Sequence, residues 1–349
     1  MLRYIIGSIL SLALSQGPAE SPSVSELLDK YAATQDKLRS FIIKSEDSVE
    51  TTASLFRSTQ KKKTYFSSVL RFDGQRISLR NHLWGDFGLG SNVIPKDKPE
   101  YQSFMWNGEE YFQYSKSPRS TARPHGIVKI DHRRKYAEGL IGRGYNGADI
   151  LGFFANNERI DSMLKQADAI SVRDRMRRAG EAESPCYIID AATKHGKFTL
   201  WIDPERGYNI AKAEVQRKAG DTMLDQPLEG KASFRSSLSK VCFAKIDNVW
   251  VPMDAEIKGL RTYRDGSFHG ARQHHKRTEV ILNPDHDSLG SFVPDDIENG
   301  AEVLDLSVEG IIYTWQDGCV VDKNGRVIMD FGPKKPDRAT GERNKAERK

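Results

Sequence analysis

The sequence predicts an α+β protein built mainly of antiparallel β-sheet, and three observations predict it. From Tyr65 onward apolar and polar residues alternate with a period of two. Four residue pairs suited to tight turns divide that region, and two other stretches carry apolar residues at helical spacing instead. The 38% hydrophobic content of the 349 residues is enough for a buried core.

The N-terminus has the layout of a secretory signal. Arg3 precedes an apolar run from Tyr4 to Leu14, broken only by Gly7, Ser8 and Ser11, and Ala13-Leu14-Ser15 offers the small-x-small pattern of a cleavage site. The run is shorter than the roughly 18 to 20 apolar residues that span a bilayer as a helix. No Cys stands at the cleavage point for lipid attachment. A signal peptide of residues 1–15 is therefore expected to be cleaved near Ser15, leaving a soluble mature protein. A Pro-containing spacer, residues 16–22, follows.

Ser23-Val24-Ser25-Glu26 reads as a capping box, in which the Ser hydroxyl accepts from the third backbone N–H and the Glu reaches back. The helix it opens has Val24, Leu27, Leu28, Tyr31 and Leu38 at three- and four-residue spacings, so one face is apolar and needs a cover. A second helical stretch lies between Asp149 and Ala169, broken near Gly152 and Asn156-Asn157.

The turn pairs are Asp73-Gly74, Asn107-Gly108, Asp247-Asn248 and Asn324-Gly325, each tolerant of positive φ. A two-residue turn at Asp73-Gly74 would set Leu70 opposite Ile77 and Ser68 opposite Leu79. Phe66, Leu70, Phe72, Ile77 and Leu79 then share one face, and Arg71, Arg76, Ser78 and Arg80 the other. Lys197 to Asp203 repeats the pattern, with Phe198, Leu200 and Ile202 on one side and Trp201 on the second.

The net charge of +5 lies at the chain ends: Lys334 to Lys349 holds seven Lys/Arg against three Asp/Glu, and Arg3 supplies the rest. The body is near neutral, which excludes the sustained basic face that nucleic acid requires. The basic runs His132-Arg133-Arg134-Lys135 and Arg173, Arg175, Arg177, Arg178 read as solvated faces. Residues 333–349 are polar and aperiodic, as in a disordered tail. Cys186, Cys242 and Cys319 are too few for a disulfide framework and leave open one disulfide in any of three pairings, or three free thiols.

His274-His275 with Glu279, then Asp285-His286-Asp287, is the best candidate for metal or acid/base chemistry. Neighbouring strand residues point to opposite faces, which separates His274 from His275. No Gly-x-Ser-x-Gly elbow or Gly-rich phosphate loop occurs, so no catalytic residue and no cofactor is assigned. A metal-dependent hydrolase using His274, His275 and His286 is kept as the enzymatic alternative.

Phe198-Thr199-Leu200-Trp201-Ile202-Asp203-Pro204-Glu205, followed by Gly207-Tyr208 and a polar strand to Glu214, resembles a hallmark of Lol-type lipoprotein carriers and outer-membrane lipoprotein-sorting proteins. The order of elements is similar too: an N-terminal amphipathic helix, strands around Phe72 to Arg76, a central helical segment, then Cys186-Tyr187-Ile188-Ile189. The resemblance spans Ser23 to Pro294. It implies a curved, incompletely closed antiparallel β-barrel with helices lidding an apolar concave face, in a periplasmic protein that holds lipid or lipoprotein acyl chains and meets an envelope membrane protein. An envelope sensor or adaptor on the same fold is the other non-enzymatic reading. Residues 23–299 would form this half-barrel and residues 300–332 additional strands. No single arginine among Arg57, Arg71, Arg76 and Arg80 matches the one that secures the lid in those carriers.

The candidate ligand-binding residues are thus Phe66, Leu70, Phe72, Ile77, Leu79, Phe198, Leu200 and Ile202 of the sheet, with Leu27, Leu28 and Tyr31 of the helix that covers it. The same residues serve equally as a filled core. On the signal reading, N-terminal sequencing of the exported protein is expected to start close after Ser15; an intact Met1 would overturn it.

Overall fold

The computed structural model describes residues 22–55, 58–86, 93–133, 147–154, 158–176, 184–223, 226–228, 232–308 and 310–332. The signal, most of the spacer, the tail, Asn156-Asn157, Arg57, Arg134, Lys135, Arg177 and Arg178 lie outside them.

The chain opens with α1 (Val24–Gln35), started by the capping box: the Ser23 hydroxyl accepts from the Glu26 N–H at 3.2 Å, and the Glu26 carboxylate accepts from the Ser23 N–H at 3.0 Å. A 3-10 turn, Asp36–Leu38, leads into the sheet. Its first strands are β1 (Phe41–Leu55), β2 (Ser58–Phe72), β3 (Ile77–Asp86), β4 (Val93–Ile94), β5 (Glu100–Trp106), β6 (Tyr111–Lys116) and β7 (Ile127–Asp131). The central helical stretch is a 3-10 segment, Ala148–Leu151, and a short α2 (Ile160–Leu164). There follow β8 (Ala169–Met176), β9 (Cys186–Thr193), β10 (Gly196–Asp203), β11 (Asn209–Arg217), a small hairpin of β12 (Thr222–Met223) with β13 (Gln226–Pro227), and the long β14 (Ser233–Ile246), β15 (Val249–Thr262) and β16 (Phe268–Leu282). The chain ends in β17 (Glu302–Asp305), β18 (Ile312–Gln316), β19 (Cys319–Val321) and β20 (Val327–Asp330).

Apart from the small hairpin, the strands form one 18-stranded sheet. Neighbours run β8-β9-β10-β11-β14-β15-β16-β1-β2-β3-β5-β6-β7-β17-β18-β19-β20, with β4 on β3. All pairs are antiparallel except β7 with β17. β8 and β20 do not pair with each other among the described residues, so the sheet is not closed. The strands of residues 300–332 continue this sheet.

The first hairpin departs from the predicted register. Phe72 stands opposite Ile77 and Leu70 opposite Leu79, with a four-residue loop between. The Asp73 carboxylate accepts from the Gln75 and Arg76 N–H groups and folds the loop as an Asx turn, a connection that the Asp-Gly pair alone does not distinguish from a two-residue turn. The error is a shift of two residues, so the faces are those expected. The Asn107 loop repeats the device. Asp247-Asn248 is the predicted two-residue turn, with both residues at positive φ and Ile246 opposite Val249.

The two faces of the sheet are covered by different parts of the chain. On the side toward α1, here the core face, one cluster joins α1 to β9, β10, β11, β14 and β15, and a second joins Leu38, Phe41, Ile43, Leu70, Leu79 and Trp106 with their neighbours. On the outer face of β5, β6 and β7, a third cluster forms where Phe292, Ile297, Val303, Trp315 and Val320 cover Met105, Phe112, Val128 and Ile130. Other parts of the outer face carry charged groups, as where Glu256 meets Lys240, Lys258 and Arg272.

Gly152 ends the 3-10 segment at φ 86°. A Cβ there would sit 2.2 Å from the Tyr31 hydroxyl, which is itself held in the core. Gly152→Ala combines strain with a clash against a side chain that has nowhere to go, and should cost about 2 kcal/mol or more. Urea unfolding is expected to show a lower midpoint at unchanged slope; a wild-type midpoint would show that Tyr31 yields.

Candidate functional site

The candidate site is the core face beneath α1 and the 148–164 segment. The apolar stripe of α1 places Leu27, Leu28 and Tyr31 inward, all buried, against Phe198, Leu200 and Ile202 of β10. The second helical stretch adds Ile150, Phe154, Ile160 and Met163 to the same cluster. Six of the eleven candidate residues therefore meet at one place. Leu70, Ile77 and Leu79 are buried in the second cluster with Phe72 at its margin, and Phe66 is half-buried. Trp201 packs on the opposite side with Cys186 and Ile188, as its place in the alternation predicts.

The cover is fastened to the sheet at its edges by polar groups. Thr34 donates to the Gly207 carbonyl, and Gln35 donates to the Asn209 side chain at 2.8 Å. The Tyr31 hydroxyl donates to the Leu151 carbonyl at 3.4 Å, and Lys165 pairs with Asp29 at 2.9 Å, so the two helical segments also hold each other.

The arginine that reaches the cover is Arg217 of β11. It donates to the Phe154 carbonyl at 2.6 Å and to the His195 carbonyl at 2.9 Å, and its guanidinium lies 5.8 Å from the Phe198 ring centre and 5.6 Å from that of Phe234. Arg76 pairs instead with Asp73 and Asp287, and Arg80 with Asp295 and Asp296. Both belong to the outer side, under the C-terminal segment. Sequence reasoning passed over Arg217 because the polar strand to which it belongs carries no local signal for a carbonyl 63 residues earlier.

Burial lowers the Arg217 guanidinium to about 10, so it stays charged at neutral pH. Burial pushes the Asp149 carboxyl up to about 7, against the pull of Arg217.

The histidines do not assemble. His275 is buried against Asp47, His274 pairs with Asp254 at 3.0 Å, and His286 contacts the Phe72 carbonyl at 3.0 Å. Among the described residues no group of three His, Cys, Asp or Glu is placed to hold a metal ion. No disulfide joins Cys186, Cys242 and Cys319. No described helix is long and apolar enough to cross a membrane.

No protein-family model and no curated protein matches the chain. Solved structures do. A DUF1329 family protein from Desulfovibrio piger is 11% identical, with a TM-score of 0.38, over 80% of this chain and 100% of that one. A putative outer membrane lipoprotein-sorting protein domain from Vibrio parahaemolyticus is 10% identical, with a TM-score of 0.36, over 75% and 92%. A LolA superfamily protein from Nitrosomonas europaea is 13% identical, with a TM-score of 0.34, over 79% and 100%.

Asp149 supplies a pH test of the cover. Its carboxyl keeps its proton in the folded chain between the usual 3.8 and about 7, where the unfolded chain has lost it. The stability this group contributes is therefore full at low pH and is lost as pH rises through 7. Asp149→Asn should melt about 2–8 °C above the wild type at pH 8 and close to it at pH 4. Thermal melts at both pH values check this, and a variant that melts lower at pH 8 would remove the account.

Proposed function

We propose that this chain is a non-catalytic binding protein that takes up a lipid or lipoprotein acyl chain on the core face of its sheet and carries it in the periplasm. The observation that carries the reading is how the apolar face is covered. α1 and the 148–164 segment contribute apolar side chains to one cluster with the sheet, and the polar ties seen among the described residues lie at its margins, through Thr34, Gln35 and Arg217. A cover attached in this way can separate from the sheet without breaking any strand pair. An inserted chain then regains the apolar contacts given up, at about 0.8 kcal/mol per buried methylene. The signal-like N-terminus supports export, and the Phe198–Glu205 motif supports the class of ligand.

Leu200, buried at the centre of this cluster, gives the test. The wild type is expected to bind a fluorescent acyl probe and to melt at a higher temperature in its presence. Leu200→Glu should abolish binding while a cooperative transition persists, because a cover that opens lets the new carboxylate reach water. A wild type that binds no acyl probe, with a Leu200→Glu that cannot fold, leaves an ordinary packed core and ends the proposal.

A further inference from the structure

The core face carries a polar row where an apolar one is expected. Successive rows of paired residues cross β16, β1, β2 and β3. The first, Val280, Ile43, Leu70 and Leu79, belongs to the second apolar cluster. The next is Arg277, Ser45, Ser68 and Asn81, and the one after that begins with His275 and Asp47, beside Ala255 of the first cluster. The polar row thus joins the two apolar clusters, and all four of its residues are buried.

Arg277 is 3% exposed. Its Nη1 donates to the Pro252 carbonyl at 2.7 Å, whereas Nε and Nη2 have no partner among the described residues. These two nitrogens form the edge of the guanidinium that grips a carboxylate with two parallel hydrogen bonds. The Ser45 hydroxyl, on the paired residue, is equally unmatched. Among the described residues the Asn81 side-chain oxygen, at the far end of this row, is also unmatched, and one row on the Asp47 Oδ2 atom has no hydrogen bond while its other oxygen contacts His275. A buried guanidinium with its fork open is costly, and a group of this kind calls for an explanation in a water, an ion or a functional role.

We propose that Arg277, with Ser45, is the anchor for the head group of the bound amphiphile, and that this head group is a carboxylate. The inference rests on the acyl-binding reading above and narrows it to long-chain carboxylates, with the tail lying on the apolar rows either side of the seam. Lysine does not replace the arginine, since an ammonium offers a point charge and no fork.

Palmitate and methyl palmitate share a tail and differ in the head, so competition of each against a neutral acyl probe isolates the anchor. The wild type should prefer palmitate about tenfold or more. Arg277→Met should bind both alike, at the affinity the wild type has for the ester, and Arg277→Lys should lose most of the preference. Without ligand, Arg277→Met should melt no lower than the wild type, because it removes an unmatched buried charge. Equal wild-type binding of the two ligands, or an Arg277→Met that melts far lower without ligand, assigns Arg277 a purely structural role and overturns the anchor while leaving acyl binding in place. Binding of neither ligand overturns the acyl-binding reading and the anchor with it.

Discussion

A single sheet that is apolar on one side has to take that side out of water, and everything else in this fold answers that constraint. A closed barrel buries its interior with its own strands. Here the line of strands ends at β8 and β20 without closing, so the core face needs cover from outside the sheet. A twelve-residue helix and two short helical pieces supply it over β9, β10 and β11, and Leu38, Leu151 and Phe153 join the cluster over β1, β2 and β3. The outer face of β5 to β7 meets the same need with the C-terminal strands.

The two covers differ in attachment. The C-terminal strands join the sheet itself through the parallel pairing of β7 with β17, with four residue pairs in register, and add the charged contacts of Arg80 and Tyr101 with Asp295 and Asp296. α1 makes no strand pair. Its buried Leu27, Leu28 and Tyr31 are worth about 2 kcal/mol each in transfer from water, and its polar ties about 1 kcal/mol each. Local opening of such an element is a smaller event than unfolding the sheet, so the cover that the proposed function requires to open is the one with the weaker attachment.

What was legible in the sequence is what short-range chemistry decides. The Ser23/Glu26 capping box, the Asp247-Asn248 turn, the face shared by Phe198, Leu200 and Ile202, and the placing of Trp201 on the other side are all present as read. The Asp73 hairpin shows the limit. Its loop is set by a carboxylate accepting from two backbone N–H groups, and the faces come out right only because the register moved by an even number of residues. Features that rest on distant partners were not legible. The β7–β17 pair joins residues about 175 apart, and Arg217 reaches a carbonyl on a segment whose own sequence says nothing of an arginine. His274-His275-Lys276-Arg277 reads as a polar strand end, yet alternation sends His275 and Arg277 into the core and leaves the other two outside.

That buried pair bears on why the core face is not uniformly apolar. A sheet meant only to be filled gains nothing from a guanidinium and an imidazole at its centre; volume-matched apolar residues in place of buried charged groups are commonly neutral or stabilising. An apolar surface that is to receive a long flexible chain has a different difficulty, since methylene groups hold no register and a chain can slide along them at little cost. On the proposed reading a fixed polar station between two apolar areas removes that freedom, because a head group held by Arg277 would set where the tail begins. The two clusters would then stand on either side of a defined origin, with the cover over β10 above the one that includes Ala255.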